Sequence, residues 1–465
     1  MSDRAFPKDS VHKRAVERGR RLSLRRVSAY VALCLGAVVL TIAALILLLG
    51  GAVLNGYGKN KAEQALAEAY PGYELQIGRV DYSVCANRLI VQSVTLRATN
   101  TTLKIARLVL TDVRWGPLLG GTATLTDVLA QANMEVTNLD WEFPQAGYGI
   151  RCARLRASVP GSELIAEGTE LRPLVADEAF FSAHGFRTTR FHLVAPECRV
   201  MGLAYGELLQ GKAYRARSVH FSRPSFDALV DRDKPRKPFV KPPLMVHEAL
   251  ATIQQPLQVD RLIITDGSLK YGERVVAGAD PGVLTFGAVA ISVAGIANRG
   301  EAVAVIRLRA QGDFMNAGLL KVLMTIPVKS PDFSLHYSGS LSAMDLTRLN
   351  AFLDVAEHTR IKSGSTEAAA FEIDVAAGQA RGRVRVIYKN LEIAVLDKRT
   401  GSEKGFDNRV ASLLANALKI RNSNAPGASG PMKEGKVNYT RRPEDEFLQF
   451  MWAALWSGIL DVSSH

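Results

Sequence analysis

Apolar residues recur at every second position over much of the chain from residue 75 onward. Leu75 and Ile77 alternate with polar neighbours, as do Leu89 and Val91, Val94 and Leu96, and Leu103 and Ile105. The rhythm returns at Leu257 and Val259, Leu262 and Ile264, and Leu269 and Tyr271. It appears again at Val384, Val386 and Tyr388, then at Leu391, Ile393 and Val395. Alternation over short runs predicts strands with one apolar and one polar face. Residues suited to tight turns separate the runs, as in Thr111-Asp112, Arg223-Pro224-Ser225 and Thr265-Asp266-Gly267-Ser268. The form apolar-x-apolar, polar turn, apolar-x-apolar recurs over residues 108–115, 219–226 and 262–271 without a fixed period. Its product is a long, curved antiparallel sheet that grows by successive hairpins. The apolar face of such a sheet requires a helix, a second sheet or an apolar ligand to cover it.

Helical periodicity is confined to a few places. A short helix is expected over 61–70, stopped by Pro71-Gly72, and another over 343–357, with Leu346, Leu349, Leu353 and Ala356 on one face. Leu319 to Ile326 form a short apolar segment. Asp407 is placed as an N-cap before Val410, Leu413, Leu414, Ala417 and Leu418, spaced for one helix face. A Gly-, Ser-, Asn- and Pro-rich stretch, 422–435, reads as flexible. After Pro443 a last helix runs to about residue 460 and is apolar nearly all round, so it has to be buried or docked. Its docking candidates, for a partner or a membrane, are Phe447, Phe450, Trp452 and Trp456.

Residues 28–54 carry no charged side chain, and nine Lys and Arg precede them within the first 26 residues. A spanning helix needs about 20 apolar residues, and the basic cluster places the N-terminus in the cytoplasm. A cleaved signal peptide has a shorter apolar core, and the nearest small-x-small site, Ala65-Leu66-Ala67, lies well beyond the run. The expectation is a retained single anchor. The organisation is then a cytoplasmic tip (1–27), a transmembrane helix (28–54), a first β-rich lobe (55–230), a charged, proline-rich linker (231–256), a second β-rich lobe (257–405) and a helical C-terminal region (406–465).

The formal charge of +13 loses much of its meaning once the tip is set apart, because +6 of it lies in residues 1–26. The remaining +7 is thin over the rest of the chain, and no nucleic-acid-binding motif accompanies it. Of four cysteines, Cys34 falls in the apolar run and Cys85, Cys152 and Cys198 follow it. Cys152 and Cys198 lie in strand-like stretches; pairing in an oxidising compartment and packing as small hydrophobes are both open readings. The chain carries no Gly-x-Ser-x-Gly, His-Glu-x-x-His, Walker or dinucleotide motif, and its eight histidines are scattered. Asp112, Asp127 and Asp266 fall where turn capping explains them. The expectation is a non-enzyme with no metal and no cofactor.

An assembled pattern points to a family. The anchor is followed by Ala65-Leu66-Ala67-Glu68-Ala69-Tyr70-Pro71-Gly72, then by Ile77-Gly78-Arg79-Val80-Asp81-Tyr82-Ser83 and a strand ending in Ser93-Val94-Thr95-Leu96. This resembles the opening of AsmA-like envelope proteins, with their short helix and Ile-Gly-x-Val strand. Gly364 before a β run, and the stretch from Gly382 through Arg383, Val384, Val386 and Tyr388 to Leu391, resemble the family's closing repeat. The resemblance implies a Gram-negative inner-membrane protein with its body in the periplasm, related to bridge-like lipid transfer proteins. It also implies a twisted half-pipe sheet whose apolar concave face holds acyl chains. The expected fold class is mainly β with a few helices: an N-terminal transmembrane helix, an extended twisted antiparallel sheet forming a groove, and C-terminal helices. Expected partners are the membrane, phospholipid acyl chains and other envelope proteins, with no nucleic acid. A non-catalytic envelope scaffold acting through protein contacts is the alternative, and a hydrolase of cell-wall or lipid substrates a weaker third.

Overall fold

The computed structural model describes residues 72–115, 124–236, 242–299, 305–330, 332–397, 421–428 and 431–463. The basic tip, the apolar run 28–54 and the helices expected over 61–70 and around 407–418 lie outside the described residues. Among the described residues no helix is long and apolar enough to cross a membrane.

The protein is mainly β, with one long sheet and few helices. The first nine strands are β1 (Tyr73–Ser83), β2 (Arg88–Ala98), β3 (Thr101–Thr111), β4 (Asn133–Phe143), β5 (Tyr148–Ser158), β6 (Glu163–Pro173), β7 (Thr189–Met201), β8 (Tyr214–Ser222) and β9 (Ser225–Asp231). The others are β10 (Leu257–Arg274), β11 (Gly282–Ala297), β12 (Val305–Phe314), β13 (Gly318–Pro327), β14 (Leu335–Asp345), β15 (Thr359–Ala376), β16 (Gln379–Val395) and β17 (Gly435–Thr440). Consecutive strands pair antiparallel from β1 to β8 and again from β10 to β17. At the junction, β8 and β9 run end to end, antiparallel to β7 on one side and parallel to β10 on the other. A parallel neighbour requires a long crossover, and the linker from 232 to 256 supplies it. The sheet therefore continues unbroken from the first lobe into the second.

The first lobe is organised by a row of interruptions across its strands. In each of β1 to β7 the ladder skips one residue near the middle: Gly78, Ser93, Ala106, Asn138, Ala153, Gly168 and Pro196 in turn. Ser93, Asn138 and Gly168 have positive φ, at 55°, 51° and 61°, conformations that Asn and Gly adopt most readily. Small residues on the intervening strands face them; a Cβ on Gly168 would lie 2.9 Å from that of Ala153. Such bulges bend the strand and shift the side-chain phase by one residue. Leu89 and Val91 before the bulge and Val94 and Leu96 after it therefore point to the same side, and all four are buried. Leu103, Ile105, Leu108 and Leu110 repeat the pattern in β3. What reads as two short alternating runs is one bent strand.

Two expected turns are likewise not reversals. Arg223-Pro224 separates β8 from β9 without turning the chain back, and Thr265 to Ser268 lie inside β10, where the register shifts around Gly267. Both continue the row of bulges into the junction. Thr111-Asp112, by contrast, ends β3.

The apolar face is sealed over most of β2 to β7, while Val219, Phe221 and Phe226 on β8 and β9 are half-buried. Helices α1 (Leu125–Leu129) and α3 (Tyr205–Leu209) close one end, with Val128 and Leu208 buried. Thr124 and Asp127 form a capping box on α1, which accounts for Asp127. At the other end α2 (Asp177–Ser182) inserts Phe180 and Phe181, and the Phe191 amide donates to the Tyr148 hydroxyl at 3.0 Å. Arg274, itself buried, lies 4.8 Å from the Phe181 ring centroid and pairs with Asp231 and Glu178.

The second core lies on the continuation of the same face. Helix α4 (Val246–Ala251), within the linker, follows Met245, which is fully buried against this core. A 3-10 turn (Leu346–Leu349) leads into α5 (Asn350–Ala356). The helix expected from 343 thus starts later, because β14 runs on to Asp345, whose carboxylate accepts from the Thr347 amide at 2.9 Å. The segment from Leu319 to Ile326 is strand β13. The last helix, α6 (Phe447–Ser463), buries Phe450, Met451 and Ala454 against Tyr337, Ile373, Val384 and Val437. Within the stretch expected to be flexible, Asn424 is fully buried: it donates to the carbonyls of Val386 and Lys433 and accepts from the Lys433 amide.

Candidate apolar groove and terminal helix

Residues paired across a ladder share a face, so the register traces the inner side of the second lobe. One row runs Leu262, Val293, Leu308, Met324, Tyr337, Ile373, Gly382, Val437. The next runs Ile264, Ile291, Ala310, Val322, Gly339, Phe371, Val384. The first row begins against Val219 and the second against Phe221 of β8, so the face continues that of the first lobe.

Its cover differs. The corresponding residues of β2 and β3 are buried, whereas Leu262, Ile264, Ile291, Val293, Leu308 and Val322 are half-buried. From Tyr337 onward in the first row, and at Val384 in the second, α6 closes the face again. Met245 and α4 cover one end of the strands, and Phe352 of α5 approaches Tyr271, with ring centroids 6.3 Å apart, at the other. What remains is a partly open apolar strip running across the strands from β10 toward β16. At about 4.8 Å per strand spacing, its half-buried part on β10–β13 spans roughly 14 Å.

The two rows contain no charged residue. Glu273 lies on the same face at the end of β10, where it accepts from the Tyr271 hydroxyl at 2.6 Å and pairs with Arg232, which also reaches Glu357. Desolvation and the nearby Glu273 charge push the Tyr271 hydroxyl far above its ordinary range, so it stays a neutral donor. The opposite face is mostly polar, with Arg307, Arg309 and Gln311 on β12 and a hydrogen bond between the His336 ring and the Asp374 carboxylate at 2.8 Å. The strip has the chemistry to hold hydrocarbon between a sealed core and a charged rim.

The four docking candidates of the last helix separate. Phe450 is fully buried, its ring 5.1 Å from that of Phe333, and Phe447 is partly buried beside the same ring. Both belong to the core. Trp452 and Trp456 are exposed, at 56% and 43%, and stack with centroids 5.7 Å apart. Leu448 and Leu460 extend their line. The sequence predicts an apolar groove but does not place it on β10–β13, since alternation is equally strong where the face is closed.

Cys152 and Cys198 are free and buried on the inner face of β5 and β7, with β6 between them. Burial, with a smaller contribution from neighbouring Cys152, pushes the Cys198 thiol up to about 12. Thiolate is the reactive form, so alkylation of the folded protein at pH 8 should modify Cys85, which is exposed, and spare both others. Peptide mass mapping reads this directly; rapid labelling of Cys198 would mean that the first lobe opens. Among the described residues no group of three His, Cys, Asp or Glu is placed to hold a metal ion. Compared with known proteins, the chain matches no family model and no curated sequence.

Proposed function

We propose that the chain is an inner-membrane-anchored envelope protein of AsmA-like type that handles phospholipid acyl chains in its second lobe, without catalysing a reaction. The observation that carries this reading is the uncharged, half-open strip on β10–β13, in a protein that buries most of the same face over β2–β7. The four strands span roughly 14 Å, a match to the roughly 15 Å of hydrocarbon in one leaflet, and each CH₂ removed from water there contributes about 0.8 kcal/mol. The basic tip, the uncharged run and the Ile77-Gly78-Arg79-Val80 opening support the location and the family. The remaining body would then lie in the periplasm and serve outer-membrane homeostasis. A scaffold that acts through protein contacts is the second reading, favoured by the exposed tryptophans of α6.

The test is gentle detergent extraction of the full chain, native mass spectrometry and solvent extraction of the purified protein. Stoichiometric phospholipid, reduced several-fold by Val322→Asp in β13 but not by a polar-face change such as Arg309→Gln, is expected. Stable, lipid-free protein that takes up no fluorescent acyl probe would sink the reading and favour the scaffold.

A further inference from the structure

Helix α6 presents Leu448, Trp452, Trp456 and Leu460 outward at intervals of four residues, exposed by 59%, 56%, 43% and 50%. Residues so spaced lie nearly above one another on a helix, and twelve residues at 1.5 Å rise make a line about 18 Å long. The helix cannot rotate to hide it. On the opposite side Phe450, Met451, Ala454 and Val462 are buried. On that same side the Asp461 carboxylate accepts the Lys436 amide at 2.8 Å and the Ser457 hydroxyl accepts the Asn438 amide at 3.3 Å. These are edge donors of β17, so the helix is pinned to the sheet edge with its tryptophans facing away.

We propose that this stripe is a bilayer-surface docking site: α6 lies in the plane of a phospholipid headgroup region and inserts Trp452 and Trp456, flanked by Leu448 and Leu460. A second copy of the chain is the poorer occupant by area. Two half-exposed tryptophans and two leucines offer roughly 400 Å² per copy if each presents about 100 Å², so a dimer built on the stripe would bury about 800 Å². Stable interfaces exceed about 1,000 Å². A bilayer needs no complementary surface, and tryptophan is the side chain enriched at the membrane–water boundary. The flanking charges are mixed: Arg442 stands with Glu444 and Glu446 at one end, and Lys433 pairs with Asp461 at 3.5 Å at the other. Docking should therefore rest on apolar insertion and tolerate salt, unlike attachment through a basic patch. It is independent of whether the groove holds an acyl chain.

The experiment uses the full chain in phosphatidylcholine nanodiscs and follows tryptophan emission. Bromine-labelled phosphatidylcholine is supplied either in the disc or as added vesicles. The chain has only two other tryptophans, Trp115 and Trp141, both buried, and none precedes Trp115, so the apolar run 28–54 gives no signal. Expected is loss of at least a third of the emission in one of the two formats, unchanged at 0.5 M salt. The bromine-dependent loss should disappear in the Trp452→Phe/Trp456→Phe double variant and fall at least twofold in Leu448→Ser/Leu460→Ser. Because all four side chains are exposed, unchanged melting of the variants would show that the fold is intact. No quenching in either format would overturn the proposal, as would quenching that persists in the double variant, or bromine-insensitive tryptophans in a concentration-dependent dimer. Lipid co-purification, which reports on the groove, would be unaffected by any of these outcomes.

Discussion

Replacing Val91 by Asp is expected to unfold the first lobe, whereas Val322→Asp should leave the protein folded. Val91 has no exposure and lies among Leu89, Val94, Leu103 and Leu108 on the sealed face. A carboxyl confined there has to stay neutral, and protonating a group of ordinary pKa near 4 at pH 7 spans about three units at about 1.4 kcal/mol each, a cost of roughly 4 kcal/mol. Loss of the buried apolar side chain adds about 2 kcal/mol. The sum rivals the whole stability of an ordinary domain, about 5–15 kcal/mol. Val322 shares the apolar face but is half-buried, so its carboxylate can turn to water, at a cost of about 1–2 kcal/mol. Urea denaturation followed by circular dichroism separates the two. The carboxyl introduced at Val91 is raised, so its penalty shrinks as pH falls toward the ordinary carboxylate range near 4. Partial rescue of the variant at pH 4–5 would identify charge burial, and equal destabilisation by both substitutions would mean that the strip on β10–β13 is as closed as the core.

The contrast between those positions marks the limit of what the sequence discloses. Period-two alternation correctly places strands at Leu89–Val91 and at Leu262–Ile264 alike, because each obeys the same demand that one face be apolar. Whether that face is sealed depends on what arrives from far along the chain: Phe180 and Phe181 in one lobe, Met245 and α6 in the other. The row of bulges was hidden for a related reason. Asp266-Gly267 and Arg223-Pro224-Ser225 have turn chemistry, and only the neighbouring strand shows that the backbone kinks there and continues. The parallel pairing of β8 and β9 with β10 needs a crossover, which the proline-rich linker made visible as a boundary but not as a connection. In the last helix, phenylalanine and tryptophan looked equivalent, since apolar residues surround its axis. Packing against Phe333 and Val437 decides that Phe450 turns inward and Trp452 outward.

Gly435→Val is expected to release α6 and open the second core, a larger effect than removing either exposed tryptophan. A Cβ at Gly435 would collide with the Gly458 carbonyl and lie 2.9 Å from the Val462 amide nitrogen. These are backbone atoms that cannot swing aside as a flexible side chain does. The helix must therefore lift from β17, and Phe450, Met451 and Ala454 lose their cover together. At about 1.5–3 kcal/mol for each large side chain, the loss is about 4–6 kcal/mol. Lifting also strips the edge of β17 of Asp461 and Ser457, leaving the Lys436 and Asn438 amides as a template for intermolecular pairing. The variant should melt well below the parent, aggregate on heating and be cut by protease within 447–463. Deleting residues 444–465 should reproduce this, because one side of the helix is core. Trp452→Ser/Trp456→Ser should not, because those side chains contribute little to the fold. If the deletion instead left melting unchanged, α6 would be an appendage and the second core would have to close without it.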